Sequence, residues 1–232
     1  MSQIRLNKYV ASRTGLSRRY VDYLLSRGLI TINNDLAELG QKLSSGDQID
    51  FSDPETNQHH SLLVNTDEKQ QPITILLNKP AGYVCSRDGQ GSPTVYELLP
   101  EDYLSLKVAG RLDKDSSGLV LLSNDGELIN ELTHPKYQKT KVYEVLLDRP
   151  LQPLHQQMIN DKGISLEDGL SKFIVENMDD TRKKFQITMK EGRNRQIRRT
   201  FEALNYQVIK LHRTKLGNYD INQLSKNVYA RV

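Results

Sequence analysis

Apolar positions follow helical spacing near the start of this chain and mostly strand spacing after it. Leu6 and Val10 stand four apart, and beyond Ser17, a natural N-cap, Val21, Leu24 and Leu25 share one helical face. Two short helices are therefore expected within residues 4 to 28. After Gly28, Leu29 to Ile32 reads as a strand, Asn33-Asn34-Asp35 as a turn, and Gly46 to Phe51 as a second strand signal. Residues 52 to 71 are polar, interrupted only by Leu62-Leu63-Val64, and read as a linker with room for one short strand.

From Ile73 onward, short β-rich runs punctuated by Gly, Pro, Asn and Asp dominate. Strands are expected at 73–77, 82–86, 106–109, 119–123, 142–147, 173–176, 185–189 and 208–211, with helices at 95–99, 127–132, 154–159 and 194–204. Strands outnumber helices, and no regular alternation with long helices occurs. The class expected is α+β: a small αβ module followed by a domain built on a mixed or antiparallel sheet.

Composition narrows this only a little. The chain has 232 residues, room for one large domain and a small one, and 37% of them are hydrophobic, enough for modest cores. A net charge of +3 says little, so the placement of basic residues matters more. Arg5, Lys8, Arg13, Arg18, Arg19 and Arg27 face the single acid Asp22 within the first 28 residues, a patch suited to a phosphate backbone. The lone cysteine, Cys85, forbids an internal disulfide and a cysteine-rich zinc site. His59 and His60 are adjacent, so on an extended chain they point to opposite faces and make a poor metal pair. No metal or cofactor is implied. No apolar run approaches the roughly 20 residues of a spanning helix, and Met1-Ser2-Gln3-Ile4-Arg5 lacks an apolar signal region, so a cytoplasmic location without membrane contact is expected.

Four segments of the larger domain carry chemistry. Gly110-Arg111-Leu112-Asp113-Lys114-Asp115 sets an arginine and two carboxylates in a short loop before an apolar strand, where on turn chemistry alone the acids would only solvate a hairpin. Asn78-Lys79-Pro80-Ala81-Gly82 places a lysine before a turn. Lys141, Tyr143 and Val145 alternate onto one face of a strand, where a tyrosine is most often a core residue. Finally, Lys190 to Arg199 packs five basic residues around Glu191 at the start of a helix. Cations there oppose the helix dipole, so an anion, phosphate or carboxylate, is expected to offset them.

These segments resemble a known family. Gly110-Arg111-Leu112-Asp113, Asn78-Lys79-Pro80, Lys141-x-Tyr143-x-Val145 and Gln196-Ile197-Arg198-Arg199 are similar to the motifs of the RNA pseudouridine synthases of the RsuA/RluB/RluE/RluF type. In the same way Arg5-Leu6-x-Lys8-Tyr9, Ser17-Arg18-Arg19, Arg27-Gly28-x-Ile30-x-Ile32-Asn33 and Gly46-Asp47-x-Ile49 resemble the RNA-binding module named after ribosomal protein S-four. The resemblance implies an S-four-type module at 1–51, a linker at 52–71 and a pseudouridine synthase catalytic domain at 72–232. It implies that Asp113 is the catalytic aspartate, that Tyr143 stacks on the target base, that Arg198 pairs with Asp113, and that Leu211 packs under the active site. RNA contacts are implied for Arg5, Lys8, Arg18, Arg19, Arg27, Arg111, Arg193, Arg195, Arg199 and Arg213; Lys79 is expected to contact RNA or be structural. The implied activity is isomerisation of uridine in ribosomal RNA by a monomer acting on ribosomal RNA or a pre-ribosomal particle. The variant Ser116-Ser117, where the family more often has Thr, and Thr200, where Met is commoner, are the departures.

Two other classes compete. A non-catalytic RNA-binding or ribosome-assembly protein would carry the basic module without bringing Asp113, Tyr143 and Arg198 together. An RNA methyltransferase would need a glycine-rich nucleotide loop after a strand, and Gly89-Gln90-Gly91 precedes no suitable helix.

Overall fold

Leu6, Tyr9, Val10 and Ala11 are buried along one side of α1 (Leu6–Thr14), against Val21, Leu24 and Leu25 of α2 (Arg18–Ser26). Ser17 caps α2 as its position predicts, accepting from the Tyr20 backbone N–H at 3.1 Å. The computed structural model describes residues 3–66, 71–225 and 227–232, and the chain divides into the units Met1–Gln71 and Pro72–Val232. In the first unit β1 (Ile4–Arg5) pairs with β4 (Lys42–Leu43). Beside them β2 (Ile30–Ile32), β3 (Asp35–Leu36), β5 (Gln48–Ser52) and β6 (His59–Leu63) form an antiparallel sheet ordered β3-β2-β5-β6. Its inner face, Ile30, Ile32, Ile49 and Phe51, closes the same core as the two helices.

The stretch expected as a linker therefore contributes a strand to this unit. β6 pairs with β5 over five residues, Val64 is buried, and the His60 ring stacks on Phe51 with centroids 4.7 Å apart. His60, Leu62 and Val64 share the inward parity while His59, Ser61 and Leu63 face water, so an edge strand hides behind a polar composition.

In the second unit the order is β7 (Thr74–Lys79), β8 (Lys107–Ala109), β9 (Ser117–Ser123), α3 (Gly126–Thr133), β10 (Lys141–Leu147), α4 (Pro153–Gln157), the hairpin β11 (Ile164–Leu166) and β12 (Gly169–Ser171), β13 (Ile174–Asn177), β14 (Lys184–Met189), α5 (Gln196–Glu202), β15 (Val208–Leu216), β16 (Tyr219–Asp220) and β17 (Tyr229–Arg231). Nine of these strands make one sheet along β13-β14-β10-β15-β9-β7-β17, with β8 on β9 and β16 on β15. Every named strand pair in this sheet is antiparallel except β9 with β15.

β7 and β9 lie between layers, which explains their unbroken apolar runs Ile75-Leu76-Leu77 and Leu119-Val120-Leu121-Leu122. Ile75, Leu77, Val120 and Leu122 enter the larger core with Tyr143, Val145, Ile197, Phe201 and Leu211. Leu76, Leu119 and Leu121 face the opposite way, toward Leu132, Leu216 and Leu224. Residues 82–86, expected as a strand, instead form a turn held by one bridge between Val84 and Thr94. Gly82 takes φ +96° and donates to the Lys114 carbonyl at 2.7 Å, so this backbone is spent on the loop before β9. Among the described residues no helix is long and apolar enough to cross a membrane.

Candidate active site

The Gly-Arg-Leu-Asp segment is the turn between β8 and β9, and glycine is needed at both ends of it. Gly110 sits at φ +77°, where a Cβ would meet Leu216 Cδ2 at 2.9 Å. At Gly118, φ +108°, a Cβ would lie 2.3 Å from the Arg213 carbonyl oxygen, because β15 runs alongside in the one parallel register.

Three buried or half-buried cations then fix the turn from three elements. Lys79, at the end of β7, is fully buried; its Nζ donates to the carbonyls of Pro80 at 3.0 Å, Lys114 at 3.4 Å and Ser116 at 2.5 Å. Arg213, on β15, is equally buried and donates to the carbonyls of Leu119 at 2.8 Å, Gly110 at 2.5 Å and Arg111 at 3.5 Å. Arg198, on α5, donates to the carbonyls of Val208 at 2.7 Å and Asp115 at 3.2 Å. Burial pulls the Lys79 ammonium pKa down, against the nearby Cys85, Asp115 and Asp113. The Cys85 thiol, pushed up by burial, accepts from the Leu112 N–H at 3.4 Å and closes the last side.

These contacts bear on two expectations. Arg213, expected on RNA, is instead enclosed, with its donors used on the carbonyls of Leu119, Gly110 and Arg111. Lys79 has a structural place, the second of the two roles expected for it.

Asp113 is the group the clamps leave available. Its side chain keeps 35% of its exposure, and its carboxylate accepts no hydrogen bond from any described residue. The nearest cation is Arg195, with Nη1 3.9 Å from Oδ2. Arg198 does not form the expected ion pair with Asp113. It pairs with Asp115 at 3.3 Å, and Arg195 meets both Asp115 oxygens at 3.2 Å. The reason is reach: Arg198 is already anchored through its terminal nitrogens on the Val208 and Asp115 carbonyls, which leaves Asp115 as its nearest carboxylate. Burial lowers the Arg198 pKa, and Asp115 offsets most directly, with Asp113 a lesser contribution.

The anion expected at the start of α5 turns out to be the protein's own carboxylates. Asp168, at the tip of the β11–β12 hairpin, takes Arg199 at 2.7 Å and Arg193 at 2.9 Å, while Arg193 also donates to the carbonyls of Asp168, Gly169 and Leu170. Glu191 bonds the Gln196 amide and lies 3.7 Å from Arg193. Arg193 and Arg199, expected on phosphates, are thus tied to this hairpin; the hydrogen bond from Arg199 is the main cause holding the Asp168 carboxyl below its ordinary range. The hairpin lay outside the expected strands because its segment is mostly polar and exposed.

Tyr143 and Leu211 lie on adjacent strands and are buried in the same cluster as Leu112, the residue before Asp113. The reacting aspartate expected from the sequence and the two apolar residues expected under a base therefore border one core. Arg111 is exposed, as are Arg5, Lys8, Arg18, Arg19 and Arg27 in the first unit, where Arg18 also donates to Asn7 at 3.1 Å. Asp115 and Asp168 carry no role in the expected set, although Asp115 could have been found: it is the second carboxylate of the same loop.

Comparison with known proteins gives the class to which this mixed sheet belongs. Residues 73–203 match the family model described as RNA pseudouridylate synthase. The chain belongs to the RNA pseudouridylate synthase family. It is 35% identical over 227 residues to the ribosomal large subunit pseudouridine synthase B of Bacillus subtilis, covering 95% of this chain and 88% of that one. The ribosomal small subunit pseudouridine synthase A of Pasteurella multocida is 34% identical over 226 residues, with 94% and 91% covered. With the large subunit enzyme B of Xylella fastidiosa identity is 37%, and this chain spans only 45% of that protein's length. A solved pseudouridylate synthase crystal structure superposes with a TM-score of 0.67 at 28% identity, covering 99% of this chain and 96% of that one.

Proposed function

We propose that this chain converts uridine to pseudouridine in ribosomal RNA, with Asp113 as the reacting carboxylate. The observation that carries it is the contrast within one turn: the backbone around Asp113 is locked by Lys79, Arg198 and Arg213, while the carboxylate itself stays open. The names of the relatives support ribosomal RNA as substrate. In the isomerisation the N1–C1′ bond breaks, the base turns, C5 bonds to C1′, and the proton leaving C5 is balanced by one gained at N1. No outside atom enters. A carboxylate can begin this by attacking C1′ or by removing a sugar proton. The uridine must first leave its stack, at a cost of a few kcal/mol. Tyr143 and Leu211 supply an apolar bed for the extruded base, and Arg111 is suited to the gap it leaves.

The first unit, with Arg5, Lys8, Arg18, Arg19 and Arg27 exposed, serves in this reading as an RNA anchor of the S-four type. A monomer working in the cytoplasm is part of the same proposal. Asp113→Asn tests it: pseudouridine formation on small- and large-subunit ribosomal RNA transcripts should vanish while RNA affinity stays within severalfold, since a neutral isostere removes only the reacting group. Turnover near wild type would sink the assignment, and full binding without any turnover by the wild-type chain on either RNA would favour a non-catalytic RNA-binding role.

A further inference from the structure

Tyr23 is an exposed aromatic side chain on the basic helix α2, with 49% of it open to water on the side opposite the buried Val21 and Leu25. A helix advances by about 100° per residue, so Arg19 and Arg27, four positions to either side, flank the Tyr23 ring. Both are exposed, and among the described residues no hydrogen bond, ion pair or ring contact holds either guanidinium. The other charges of the helix are engaged elsewhere: Asp22 accepts from the Asn7 amide at 2.8 Å, and Arg18 donates to the same Asn7 at 3.1 Å. The carboxylates Asp53 and Glu55, in the β5–β6 turn, are on the Tyr20 side.

The Tyr23 ring is also held in place. It stacks on Tyr20, with centroids 5.9 Å apart and planes 25° from parallel, and the Tyr20 hydroxyl donates to the buried Asp53 at 2.6 Å. Asp53 in turn accepts from the Glu55 N–H at 3.0 Å and the Thr56 hydroxyl at 2.9 Å, which ties the aromatic pair to the turn. The hydrogen bond to Asp53 pushes the Tyr20 pKa up to about 12, so this hydroxyl stays a donor at neutral pH.

Resting on the reading of the first unit as an RNA anchor, we propose that the outer face of α2 is a binding site for an unpaired RNA nucleotide. Its base stacks on the Tyr23 ring, and the phosphates beside it meet Arg19 and Arg27. Stacking on an aromatic ring accepts any base, because every base has a π face, and the two guanidinium groups supply the charge the backbone needs. A base inside a duplex cannot offer that face, so the ligand is a loop, a bulge or a single-stranded end.

The test uses the full chain and two probes: a single-stranded oligocytidylate of about ten nucleotides carrying one 2-aminopurine, and a blunt RNA duplex of similar length. Stacking quenches 2-aminopurine fluorescence, so wild type should quench the single strand and Tyr23→Ala should not. Tyr23→Ala should bind the single strand about fivefold or more weakly, with an unchanged slope of log K against log salt, because a neutral ring displaces no counterion. Its affinity for the duplex should stay within about twofold of wild type. Tyr23→Phe should behave as wild type, whereas Tyr23→Leu, which keeps apolar packing on Tyr20 without a π face, should behave as Tyr23→Ala and covers the case in which alanine disturbs the fold. Arg19→Gln and Arg27→Gln should each lower the salt slope on the single strand by about 0.7. Single-strand binding by Tyr23→Ala and Tyr23→Leu within about twofold of wild type, or equal quenching by wild type and Tyr23→Ala, rejects the stacking site alone. If the double variant Arg19→Gln, Arg27→Gln keeps both the affinity and the salt slope of wild type, the anchor reading of the first unit fails, and the stacking site with it.

Discussion

Among single residues, the second unit uses its cations as internal ties. Arg213 is the clearest case: three carbonyls around the aspartate loop depend on one buried guanidinium. Arg213→Met should therefore destabilise the chain by on the order of 3 kcal/mol, because carbonyls that lose a charged donor stay buried and unsatisfied. Urea unfolding reads this, and pseudouridine formation should fall with it, as the loop loses its geometry. Gly118 sets a different limit. Gly118→Ala puts a methyl 2.3 Å from a backbone oxygen at φ +108°, so neither a rotamer change nor a side-chain shift relieves it. A loss of at least about 2 kcal/mol in the same assay is expected; an alanine variant as stable as wild type would mean that β9 and β15 can part without cost.

Among the elements, α5 depends on the β11–β12 hairpin. The hairpin has two three-residue strands, too few to stand alone, and Asp168 fastens it to Arg193 and Arg199. A carboxylate whose folded pKa is depressed contributes stability that is complete above its unfolded pKa and fades as pH falls through the lower folded value. Asp168 has this sign, starting from an ordinary value of 3.8. Asp168→Asn should thus lower Tm near about pH 7, and the gap to wild type should narrow once the pH drops below about 4. A gap that stays constant down to about pH 3 would show that the ion pairs contribute nothing. The same variant should leave Asp113 chemistry intact but loosen α5, which a rise in kcat loss with temperature would report.

Across the whole molecule, each unit has its own hydrophobic core, one of fourteen buried residues in the first and two larger-domain clusters in the second. The fragment 72–232 should therefore fold by itself, giving a single cooperative transition. Its RNA binding should be weaker and less sensitive to salt. The slope of log K against log salt should fall by about 0.7 to 0.9 for each phosphate that Arg5, Lys8, Arg18, Arg19 and Arg27 neutralise in the intact chain. Binding as tight as the intact chain's, with an unchanged slope, would remove the first unit from RNA recognition.

Local chemistry was legible in the sequence wherever one segment decides it. The capped helix after Ser17, the buried runs at 75–77 and 119–122, and the Gly-Arg-Leu-Asp turn follow from spacing, propensity and motif, because those effects act within a few residues. The hairpin at 164–171 did not show, and of the strand at 59–63 only room for a short strand within a linker could be read, since each is stabilised by partners across the sheet or on another element while its own residues are half polar. The assignment of charges was the least legible. Lys79, Arg193, Arg199 and Arg213 carry the same net charge as Arg111 or Arg195, and a basic residue looks alike in sequence whether it meets phosphate or a carbonyl. Which it meets depends on burial and on acceptors far away along the chain, 23 residues from Arg193 to Leu170 and 103 from Arg213 to Gly110. The class, the loop and its candidate aspartate could be read from the order of residues alone. That Lys79, Arg198 and Arg213 hold the aspartate loop emerged only on folding, because a buried donor satisfies whichever carbonyl the fold brings to it.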